Sequence, residues 1–113
     1  MAHLNVEIKA RCDDPDAVLR SLQAVGAVSQ GVDHQVDTYF RAVRGRLKLR
    51  RGNIENSLIH YVRDDQRGPK DSHVTLHETH AAESESLRNL LAGALGIVVE
   101  VSKCRHILWI ENV

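Results

Sequence analysis

Residues 3–11 alternate strictly, with Leu4, Val6, Ile8 and Ala10 on one side and Asn5, Glu7, Lys9 and Arg11 on the other. This period of two predicts a strand with a buried apolar face and a charged face. Asp14 and Pro15 then read as N-cap and first helical position. The spacing of Val18, Leu19, Leu22 and Val25 predicts a helix that Gly26 ends. Alternation returns over residues 34–40, where Val36, Thr38 and Phe40 oppose Asp37 and Tyr39. After a turn at Gly45, Arg46, Lys48 and Arg50 share one strand face and Leu47 and Leu49 the other. Gly52-Asn53 opens a further turn. Residues 57–63 read as a strand with Ile59, Tyr61 and Arg63 on one side, residues 67–70 as a loop, and residues 72–77 as another strand. Leu87, Leu90, Leu91, Ala94 and Leu95 stripe a second helix over residues 81–95, with Glu83 and Glu85 at its positive end and Gly96 after it. Residues 97–101 and 103–110 close the pattern as one bent strand or two short ones. The order predicts an α+β fold on an antiparallel sheet, with both helices packed on its outside.

A length of 113 residues fits a single domain, 1–113. A hydrophobic fraction of 42% excludes wholesale disorder. No apolar run approaches the roughly 20 residues that span a bilayer, so no membrane partner is expected. The first residues lack the basic-then-apolar design of an export signal. The expectation is a cytoplasmic protein whose Cys12 and Cys104 are reduced, as small core or edge residues. Fifteen basic and fifteen acidic side chains cancel, which disfavours a globally basic nucleic-acid binder. The charge is nevertheless unevenly spread. Arg41, Arg44, Arg46, Lys48, Arg50 and Arg51 fall in one stretch without an acid among them.

Sign is what separates this charged face from an ordinary wet one. Lys9, Arg11, Arg46, Lys48, Arg50, Arg63, Lys103 and Arg105 are positions where strands place charge opposite aliphatics. A merely solvated face mixes signs. Like charges on neighbouring strands repel, so concentrating them costs stability unless an anion lies among them. A phosphate chain meets that need, with many oxygens matched to guanidinium forks. Glu7, two residues from Lys9 on the same face, reads as an internal ion-pair partner or as a ligand for a divalent metal. Asp37 and Glu111 read as surface or turn acids, and Trp109 as a core or interface anchor. His73 and His77 share a strand face without a zinc-like spacing. Neither a nucleophilic triad nor a glycine-rich phosphate loop is present.

Asn5-Val6-Glu7-Ile8-Lys9 resembles the ExExK signature of the CYTH domains, the triphosphate tunnel metalloenzymes. The segments 34–40, 45–50 and 61–63 and the pair Lys103 and Arg105 with residues 108–113 extend the likeness along the whole chain, towards the class IV adenylate cyclase-like branch. The resemblance implies an antiparallel tunnel, here open or half-formed, that binds triphosphate with basic side chains and Mg²⁺ or Mn²⁺ with carboxylates. Carried over by position, Glu7 becomes a metal ligand. Lys9, Lys48, Arg50, Arg63, Lys103 and Arg105 become phosphate ligands, with Arg46 a less direct match. Asn5 stands where the family has its leading glutamate, which weakens the expected metal site. The chain also stops at Val113, short of strands that carry further acids in the family. The resemblance thus implies a binder of triphosphate- or polyphosphate-type anions with at most weak phosphohydrolase or cyclase-like activity. The alternative is a non-catalytic binding or assembly module. An unfinished sheet exposes an edge, so a homodimer is expected.

Overall fold

The computed structural model describes residues 2–63 and 70–111. Its elements are β1 (Ala2–Glu7), α1 (Pro15–Ala24), β2 (Val28–Phe40), β3 (Arg46–Arg51), β4 (Asn56–Arg63), β5 (Lys70–Glu78), a single 3₁₀ turn (Ala81–Glu83), α2 (Ser84–Leu95) and β6 (Ile97–Trp109). All six strands join one antiparallel sheet in the order β1-β5-β4-β3-β2-β6. The class is therefore α+β, as the alternation predicts. β1 and β6 are edges that do not pair with each other, so the sheet is open.

Two strand ends differ most from the sequence pattern, and the closing segment takes the first of its two expected forms. β1 ends at Glu7, opposite Lys70 where β5 begins, so Lys9 and Arg11 lie beyond the strand. β2 starts six residues before the expected position, because β6 offers it a partner as far as Val28↔Trp109. Its register shifts between Ser29 and Gly31, where Gly31 takes φ +105°, a conformation suited to a glycine at a bulge. Residues 97–109 form one continuous strand, since pairing with long β2 holds them together.

The two faces of the sheet divide the packing. Ile59, Tyr61 and Val74 form a buried cluster on one face, with Leu76 packed against it. Leu49 and Phe40 are buried on the other. α2 is tied to that second face: Arg88 Nε donates to Glu100 Oε2 at 2.7 Å, and Thr38 Oγ1 donates to the same oxygen at 2.7 Å. Arg88 is the larger cause holding the Glu100 carboxyl down at about 2. α1 begins as expected, with Asp14 Oδ1 accepting from Ala17 N at 3.1 Å. However, none of its residues is buried, which corrects the expectation that both helices pack on the sheet. A helix this short gains most of its stability from packing, and Val18 and Val25 remain exposed. Cys12 and Cys104 are both free and exposed, so neither is a core residue, and Cys104 lies on the edge strand β6. No described helix is long and apolar enough to cross a membrane.

Candidate functional site: a cationic cleft

The pairing register aligns side chains in rows across the first face. Asp37, Arg50, Ser57 and Glu78 form one row; Tyr39, Lys48, Ile59 and Leu76 form the next. Lys103 and Arg105 of β6 stand opposite Gln35 and Asp33 of β2. Arg50 of the first row and the whole of the second border a cleft of about 500 Å³ to which all six strands contribute. Ile59, Tyr61, Val74 and Leu76 give it an apolar wall on β4 and β5. Lys48, Arg50, Lys103 and Arg105 give it a cationic wall on β3 and β6, and Glu7 and Lys9 stand at the β1 end.

Asp37 is the centre of the cationic wall. Its side chain has 0% exposure, and Arg50 grips it in a fork: Nε donates to Oδ1 at 3.0 Å and Nη2 to Oδ2 at 2.9 Å. Lys103 Nζ lies 2.8 Å from Oδ2, and Lys48 Nζ stands off at 3.9 Å. Burial opposes the Asp37 charge, but the bonds from Arg50 and Lys103 outweigh it and hold the carboxyl at about 2. The same fork raises the Arg50 guanidinium against its own burial. Lys48 goes the other way. Burial first, then repulsion from Arg50, lowers its ammonium to about 8 despite Asp37. Its nitrogen lies 5.3 Å from the centre of the Tyr61 ring and 5.9 Å from that of Tyr39, within cation–π range.

A second carboxylate is set in place by a turn. Asp33, fully buried, accepts from Ile54 N and Glu55 N, both at 2.9 Å, and from Gln35 Nε2 at 2.7 Å. His34 N donates to Asn53 Oδ1 at 2.6 Å. These bonds fasten the β3–β4 turn to β2 and bring Glu55 Oε2 to 3.3 Å from Arg50 Nη1 and 3.9 Å from Arg105 Nη1. Gly52 leaves the room for it: a Cβ there would lie 2.5 Å from Asp33 Oδ1 and 2.7 Å from Glu55 O.

Of the residues singled out from sequence, Lys9, Lys48, Arg50, Lys103, Arg105 and Glu7 border the same cleft. Arg46 is exposed and is not among the bordering residues. Arg11 turns to Asp13, Nε to Oδ1 at 2.7 Å, with both side chains in solvent. The side chains of Arg63 and Asn5 lie outside the described residues. Asp37 requires a correction, because it is a fully buried hub and not a surface or turn acid. Alternation does place it on the basic face, and the hairpin register sets it opposite Arg50. Asp33 and Glu55 carry no such signal, since their roles arise from a turn folding back on a neighbouring strand. With Asp37 and Glu55 included, the cationic wall is less one-signed than the sequence suggests.

The described residues contain no group of three His, Cys, Asp or Glu side chains placed to share a metal ion. Asp37 already has both oxygens committed to Arg50 and Lys103. The available donors therefore fit only a cation that brings most of its oxygen ligands with it, as Mg²⁺ does when bound to phosphates.

Comparison of the chain with models of protein families finds no match, and comparison with curated proteins finds none. The class defined by fold and geometry is an α+β protein whose open antiparallel sheet carries a cation-walled cleft.

Proposed function

We propose that the cleft binds a triphosphate- or polyphosphate-type anion, as a CYTH-like half tunnel. The observation that carries this reading is the convergence of Lys9, Lys48, Arg50, Lys103 and Arg105 on one concavity from separate parts of the chain. Three carboxylates, Glu7, Glu55 and Asp37, offset part of that charge, and the remaining excess is positive. Arg105 and Lys103 keep about half and two-fifths of their side chains exposed (49% and 38%), so both can turn towards a ligand. Mg²⁺ or Mn²⁺ enters this reading as the counter-ion of the phosphate chain, with Glu7 its carboxylate on the protein. Weak phosphohydrolase or cyclase-like turnover follows only from the family likeness.

Titration calorimetry with tripolyphosphate, with and without Mg²⁺ or Mn²⁺, tests the reading. Binding that weakens with salt and in Lys48→Ala or Arg105→Ala supports it. Absence of binding at low salt, or preference for oligonucleotides over short polyphosphates, overturns it. Turnover abolished in Glu7→Gln marks an enzyme; binding without turnover marks a non-catalytic module.

The edge strands favour that module as a dimer. Leu4 and Val6 on β1 are 56% and 67% exposed, and Val99, Val101 and Trp109 on β6 are also open to solvent. β1 and β6 run antiparallel through five successive antiparallel pairings. A second copy can therefore add its β1 to this β6 in the ordinary antiparallel sense, covering both edges at once. Light scattering after size exclusion that gives a monomer at high concentration removes this part.

A further inference from the structure

Lys48 is poorly compensated within its own site. Asp37 Oδ2 is taken by Lys103 at 2.8 Å and Arg50 Nη2 at 2.9 Å, leaving Lys48 at 3.9 Å as the outcompeted cation. Its side chain is 14% exposed, yet it borders the cleft, so a small reagent can reach it while bulk water solvates it poorly. Glu7 and Lys9 at the β1 end and Glu55 of the β3–β4 turn border the same cleft, and the groups acting on the lysine itself are Asp37 and Tyr39 from β2, Arg50 on its own strand, Tyr61 from β4, and Lys103 and Arg105 from β6. Three of the groups acting on it are cations. They disfavour a further ammonium and attract an anionic reagent. An amine with reduced proton affinity beside an anion-gathering wall is a nucleophile placed where an electrophile with a phosphate leaving group would collect.

We infer that Lys48 is a modification site acylated by small acyl phosphates; this rests on the anion-binding reading above. The neutral Nζ attacks the acyl carbon and forms an N–C bond. The bond between the acyl carbon and the bridging oxygen breaks, inorganic phosphate leaves with that oxygen and the electron pair, and the proton shed by nitrogen passes to water. Nothing is oxidised or reduced. The product amide has no charge and occupies cleft volume, so acylation switches off anion binding.

The chain has four lysines, Lys9, Lys48, Lys70 and Lys103, which makes the site easy to map. Native protein is treated at pH 8 with acetyl phosphate, or separately with the uncharged N-hydroxysuccinimide ester of acetate, and initial rates are read by peptide mass spectrometry. A half-neutral amine gains about 100-fold in reactive fraction over an ordinary lysine and loses about a factor of ten in intrinsic nucleophilicity, taking a thiol-like Brønsted slope. Lys48 is therefore expected to react roughly tenfold faster than the free amine of Nα-acetyl-lysine amide added to the same sample, with a larger advantage for acetyl phosphate than for the ester and protection by tripolyphosphate. Equal rates for Lys48 and the free amine with both reagents overturn the inference. So does an equal advantage with both reagents that tripolyphosphate fails to suppress. Calorimetry on the same sample separates the two readings: tripolyphosphate that binds while Lys48 stays inert refutes the lysine's reactivity and leaves the anion site standing.

Discussion

Replacing Asp37 with Asn should lower stability and raise anion affinity in the same variant. Asparagine keeps the shape but removes the charge that neutralises Arg50 and Lys103, and an amide cannot accept the guanidinium fork through both atoms. The carboxyl is moved from 3.8 to about 2 on folding, a displacement worth about 2 kcal/mol. Leaving buried partners unpaired costs about 3–5 kcal/mol, so the expected loss lies between these figures. At roughly 4 °C per kcal/mol for a domain of this size, the melting temperature should fall by about 8–20 °C. The sign with pH is fixed. A depressed carboxyl stabilises fully above about pH 4, and the contribution fades as pH falls through about 2. The gap between wild type and variant must therefore close in acid. The variant's wall carries one more uncompensated positive charge a few ångströms from a bound phosphate, and tripolyphosphate should bind roughly tenfold more tightly. At saturating ligand the variant should then recover about 1.4 kcal/mol more than wild type does. Calorimetric and thermal melts across pH, with and without tripolyphosphate, measure all of this. A variant as stable as wild type would refute the hub. One with unchanged tripolyphosphate affinity would show that the cations do not face the ligand.

Three further outcomes follow from the same geometry. Lys48→Met should flatten the rise in wild-type stability between about pH 8 and 10.5: there the unfolded chain still binds a proton that folded Lys48 has lost, so unfolding free energy climbs with pH. Chemical denaturation at pH 7 should find this variant at least as stable as wild type, because desolvating the ammonium costs more than its distant carboxylate returns. Gly52→Ala should destabilise by about 1–3 kcal/mol and weaken ligand binding as well, since a Cβ there collides with Asp33 and the Glu55 carbonyl; an unchanged urea midpoint would contradict the tight turn. Arg105→Ala should leave the melting temperature within about 2 °C, its half-exposed contact with Glu55 being 3.9 Å long, while reducing tripolyphosphate affinity about tenfold.

Much of the fold can be read directly from alternation. A period of two forces Arg46, Lys48 and Arg50 to one side and Leu47 and Leu49 to the other, whatever the partner strands. Gly45 and Gly52 mark where the chain reverses. These local rules suffice to expect an antiparallel α+β protein and to name Lys9, Arg11, Arg46, Lys48, Arg50, Arg63, Lys103 and Arg105 as one charged set, but not to separate Arg11 and Arg46, which stand outside the cleft, from those that border it. Strand ends were not legible, because β1 stops and β2 lengthens according to what lies alongside them. The exposure of α1 was not legible either, since an apolar stripe states a capacity for packing and does not supply a surface to pack on.

The amino-acid sequence by itself determines which side chains share a face, since that depends only on backbone geometry along a strand. Tertiary structure alone decides how the charges on that face are balanced. Asp37 lies 13 residues from Arg50 in the chain, and Lys103 a further 53 beyond, yet both cations come within 3 Å of Asp37 because β3 and β6 flank the same β2 strand. Burial and Coulomb energy both depend on arrangement in space, so the pairing that lowers Asp37, and the burial and nearby Arg50 that leave Lys48 with a weakened hold on its proton, exist only once the sheet has formed.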